Sequence, residues 1–173
     1  MTSLDAWVDD WEIGCCRSVP PPGEPWSAIL VFSGVLVPSG SVRLDRLPSG
    51  DMQFGGPVVE RFHGAGQAMA ILRCGPVHVF VTDPTDGDGF EGEGRLYDDN
   101  HVDYMDQADL ERWKTSGTIR RLWVVPGNDG EYRDWPDETG GLLKGDPKEV
   151  AAIDPRWVGP HPWEARLEVE VDR

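Results

Sequence analysis

Basic residues are scarce in this 173-residue chain: 16 Lys and Arg stand against 31 Asp and Glu, a formal net charge of −15. A surface that binds nucleic acid or anionic membrane needs clustered cations to replace counterions, so neither is an expected partner. No apolar run exceeds five residues, Ala28 to Phe32 being one, whereas a bilayer-spanning helix needs roughly 20. The opening MTSLDAWVDDWE has early acids and no basic region, so no signal peptide is expected and the chain reads as cytoplasmic. Cysteine is scarce as well, three residues with no C-x-x-C, which suits thiols better than a disulfide framework. P-loop, G-x-S-x-G and H-E-x-x-H signatures are missing.

What is abundant points to strands and turns. Gly (21) and Pro (15) break the chain into short apolar runs, and Trp (8) outnumbers Tyr (3). Many turns between short runs argue for a β-rich fold. Alternation predicts strands over 4–13, 41–47, 58–62, 67–74, 77–82, 118–125 and 165–171. The run 26–37 is apolar in both registers, as in a strand between two layers or a barrel wall covered on its outside, with Gly34 suggesting a bulge or bend. Asp106-Gln107-Ala108-Asp109 resembles a capping box, so a short helix should follow through Trp113. The expected fold is all-β: one domain over 1–173, a single antiparallel barrel or sandwich of about eight to ten strands with one or two short helices.

Unusual chemistry concentrates in residues 83–106. Nine of them are acidic and only Arg95 is basic, a net −8. Asp86, Asp88, Glu91 and Glu93 are interspersed with Gly87, Gly89, Gly92 and Gly94, oxygen ligands on a permissive backbone, so the stretch reads as an acidic loop suited to a hard cation. It ends on Asp98, Asp99, Asn100, His101, Val102 and Asp103. In an extended chain Asp99, His101 and Asp103 share a face. That makes Asp98, Asp99, His101 and Asp103 candidate ligands of a divalent cation, and Asp99 with His101 a candidate acid–base pair. Adjacent Cys15 and Cys16 are candidate nucleophiles, although only Arg17 stands near in sequence to lower a thiol pKa. With Cys74 and His78, which a continuous strand would place on one face, they could make a Cys₃His zinc site, but Gly75-Pro76 should break that strand, and buried free thiols are the plainer alternative. Trp7, Trp11 and Trp123 are candidates to line an apolar ligand cavity, where core filling is the plainer reading.

The stretch Trp7-Val8-Asp9-Asp10-Trp11-Glu12-Ile13-Gly14-Cys15-Cys16 resembles the N-terminal signature of a family of small actinobacterial proteins, a domain of unknown function. The segments Gly94-Arg95-Leu96-Tyr97-Asp98-Asp99-Asn100-His101 and Gly117-Thr118-Ile119-Arg120-Arg121-Leu122 are similar to later segments of the same family. Where relatives continue Cys-Cys-Gly, this chain has Arg17-Ser18-Val19. The resemblance implies no activity, and it keeps the first two stretches together as one suspected site.

The acidic excess favours cations, basic proteins or basic substrates. The expected function is a binding or interaction module for a small ligand, a cation or a basic partner. Two alternatives stand beside it. One is a small β-barrel enzyme using Asp99, His101 and Cys15 or Cys16. The other is a homodimer joined through 26–37.

Overall fold

The computed structural model describes residues 2–9, 12–13, 18–64, 66–99, 105–126, 146–154 and 163–173. Within them lie eleven strands: β1 (Thr2–Asp9), β2 (Pro25–Ala28), β3 (Leu30–Pro38), β4 (Arg43–Arg46), β5 (Met52–Gly64), β6 (Gln67–Cys74), β7 (Val77–Thr82), β8 (Gly89–Asp98), β9 (Thr115–Pro126), β10 (Lys148–Glu149) and β11 (Trp163–Val171). A helical turn α1 (Gln107–Leu110) runs into a 3₁₀ turn (Glu111–Trp113). The fold is all-β, as expected.

Five strands close a barrel in the order β3–β7–β6–β5–β8 and back to β3. A second sheet peels away from it in the order β8–β1–β11–β9–β10, with β2 on the free edge of β9. Strand β8 is the hinge of this arrangement. One edge pairs with β3 from Asp98 to Phe90, and the other is shared between β5 and, at Tyr97, β1. The β3–β7 and β1–β8 pairings are parallel, so the barrel is not purely antiparallel; alternation within a strand carries no information about its partner.

One apolar cluster fills the barrel and continues along the inner face of the second sheet. Leu30, Phe54, Leu72 and Val79 belong to it, as do Leu4, Leu167 and Val169. A smaller cluster lies outside the wall, where Leu110 and Trp113 cover Ile29, Ile71 and Phe80. The two-faced run 26–37 is therefore a barrel wall covered by the expected helix over its first half. Its second half is bare, with Val35 76% and Val37 48% exposed.

The expected loop at 83–106 needs correction, since residues 89–98 are strand β8. Two of the glycines that suggested flexibility, Gly92 and Gly94, face inward, as does Gly34 of β3. A Cβ at Gly34, Gly92 or Gly94 would land within about 3 Å of the Phe32 ring, which stacks edge-on against Phe54. The glycines make room for aromatic rings while Glu91 and Glu93 point outward. For the same reason Gly34 is no bulge: the β3–β8 register runs past it without a shift. The irregularity falls between Val58 and Glu60 instead.

Candidate functional site

Strands β1 and β8 run parallel with Trp7 opposite Tyr97, so their C-terminal ends arrive side by side. Asp9 ends one strand, and Asp98 and Asp99 end the other. Together with Glu12 they border an open cleft of about 320 Å³ whose lining includes Val31, Phe32, Ser33 and Tyr97. Two segments some ninety residues apart thus bring four carboxylates to one depression. Asp98 is 2% exposed and accepts a 2.8 Å hydrogen bond from Trp26 Nε1. That bond fixes its carboxylate from the core side and ties β2 to the cleft. Asp99 is anchored through its backbone, its N–H donating to the Ile29 carbonyl at 3.0 Å.

Of the residues proposed from sequence, Asp98 and Asp99 lie in this cleft. His101, Asp103, Cys15, Cys16 and Trp11 fall outside the described residues. Asp9 and Glu12 were missed as site residues: a carboxylate near a strand end is ordinary, and only the parallel β1–β8 pairing gives these two their neighbours. Among the described residues, no three His, Cys, Asp or Glu side chains form a group suited to a metal ion.

Cys74 and His78 are separated, as the Gly75-Pro76 break implied. The turn at Gly75, with φ of +65°, reverses the chain so that Cys74 pairs with Val77 and Arg73 with His78. Cys74 then points into the barrel, where burial pushes its thiol up to about 12. His78 points outward, edge-on to Trp113 at 5.1 Å between ring centroids. Burial, and secondarily the positive charge of Arg73, lower its pKa below the usual value. The two side chains occupy opposite faces of one sheet and share no ligand.

Trp7 and Trp123 are 1% and 8% exposed, and guanidinium groups cover them. Arg95 lies 3.8 Å over the Trp7 ring, and Arg166 lies 4.1 Å over Trp123. Arg95 reaches Glu164 at 2.6 Å, which also accepts from the Tyr97 hydroxyl at 2.8 Å. Trp7 Nε1 donates to the Gly50 carbonyl. Gly50 sits at φ +86°, and a Cβ there would strike both the Trp7 ring and Arg166. This packed face of interleaved Arg and Trp closes one flank of the cleft through Tyr97.

No protein-family model, curated protein or solved structure matches the chain.

The arrangement can therefore do one thing well. It gathers four carboxylates, two of them buried, beside apolar side chains at the meeting point of two sheets. No helix among the described residues is long and apolar enough to cross a membrane.

Proposed function

We propose that the chain is a binding module whose cleft at the ends of β1 and β8 takes an organic cation, a guanidinium or ammonium group on a carbon stem. One observation carries this reading: Asp9, Glu12, Asp98 and Asp99 line one depression together with the half-buried Val31. A bare divalent ion needs several oxygens converging at about 2.0–2.6 Å, and the described carboxylates form no such group. A cation with an apolar stem is served better, because the stem lies along Val31 while the charge meets Asp9 and Asp99. Since the net charge of −15 works over the same distances, association should be steered by electrostatics and weakened by salt.

Calorimetric titration with L-arginine amide, and in parallel with Ca²⁺ and Zn²⁺, tests this. Arginine amide should bind, and Asp99→Asn should weaken it about tenfold, the equivalent of about 1.4 kcal/mol. Unchanged affinity in both Asp99→Asn and Asp9→Asn would contradict the reading, as would preference for a bare metal ion.

A further inference from the structure

An open sheet edge usually carries a device against unwanted pairing, and most open edges here do. Strand β4 holds Arg43, Asp45 and Arg46 in four residues; β10 is two residues, both charged; β2 opens on Pro25. The far half of β5 carries Glu60 and Arg61. The second half of β3 is guarded only at its end, by Pro38. From Ser33 to Val37 it holds neither charge nor proline, and Ser33, Gly34, Val35 and Val37 are all exposed.

Its backbone is oriented for pairing. The Ser39 N–H donates to the Gly89 carbonyl, and the Asp99 N–H donates to the Ile29 carbonyl. Odd-numbered residues of β3 are therefore the ones bonded to β8. Antiparallel alternation turns the N–H and C=O of Gly34 and Leu36 the other way. On that side β7 pairs with β3 only at Leu30 and Val31, so these groups face outward along an edge that no strand occupies among the described residues.

Charge selects the occupant. On the outer face beside Val35 and Val37 lies a groove of about 240 Å³ bordered by Glu91 and Glu93. Both carboxylates accept from neutral groups, Ser39 Oγ at 2.9 Å and Gln53 Nε2 at 3.0 Å, and among the described residues no basic side chain pairs with either. Arg43, also at the groove, is turned to Asp45. A second copy would bring its own Glu91 and Glu93 and its own −15 to this edge. A basic segment meets attraction instead.

We propose that β3 accepts an extended basic segment of a partner protein as an added strand, bonded to Gly34 and Leu36. Basic side chains four residues apart, about 13 Å along a strand, lie beside Ser33 and Val37. The first points toward the acidic cleft and the second toward Glu91. For the first contact this inference rests on the cleft reading above; the backbone pairing and the Glu91–Glu93 groove are independent of it.

The probe is the peptide Thr-Val-Lys-Val-Thr-Val-Lys-Val-Thr, labelled for fluorescence anisotropy against the full chain. Its backbone amides are N-methylated in one alternate set or the other, which leaves the protein untouched. One set should weaken binding at least tenfold and the other should leave it unchanged, because alternate amides face β3 and solvent. Glu91→Gln/Glu93→Gln should also weaken the parent peptide about tenfold while leaving arginine amide binding intact. Equal effects of both methylated sets, or no binding at all, would overturn strand addition. If arginine amide still binds in that case, the cleft reading stands alone. Dimerisation of the chain through the same edge, lost in Val35→Lys, would name a second copy as the occupant and overturn the proposal as well.

Discussion

Cys74 shows how position decides the chemistry of a residue. Its side chain sits in the barrel interior at 0% exposure, and burial holds the thiol near 12, so almost no thiolate forms at neutral pH. In a Cys15→Ser/Cys16→Ser variant it is the one thiol left. A disulfide-exchange reagent at pH 8 should then modify no thiol in the folded protein and one in guanidinium chloride; rapid labelling of the folded protein would show that the barrel opens there. The cysteine could be read from the sequence as a buried thiol, because it stands at a strand end. The covering of Trp7 by Arg95 and of Trp123 by Arg166 could not. Those pairs depend on which strands are neighbours and in what register, and residue spacing within one strand is silent on both.

At the scale of elements, the short helix does more than its length suggests. Leu110 and Trp113 cover the outer face of β3, β6 and β7, packing on Ile29, Ile71 and Phe80. A seven-residue helical segment has little stability of its own in water, so this burial is what holds it. Trp113→Ala should cost about 3 kcal/mol or more of unfolding free energy, measured by urea denaturation. A change under about 1 kcal/mol would mean that the helix is not fastened through this side chain. This helix was legible from its capping pattern, and β11 from its strict alternation, which the burial of every second residue matches. Strand β8 was not. Glycine weakens a strand and acids next to glycine read as turn chemistry, whereas the Phe32 and Phe54 rings that need the space come from strands distant in sequence.

Over the whole molecule, the acidic excess was legible in the composition, and Asp98 and Asp99 stood out because acids crowd that stretch. The cleft itself became visible only through the parallel pairing of β1 with β8, which sets Asp9 and Glu12 opposite them. The same topology lays the cleft and the Glu91–Glu93 groove along one outer face, on either side of Arg95, whose guanidinium is committed to Glu164 and Trp7. The central claim is that this face receives positive charge at the ends of β1 and β8. Its most direct test is an amide chemical-shift titration with L-arginine amide at low salt. The account predicts shifts concentrated at Asp9, Ser33, Tyr97, Asp98 and Asp99 that fade as salt is raised. Shifts scattered over the acidic surface, or centred elsewhere and indifferent to salt, would contradict it.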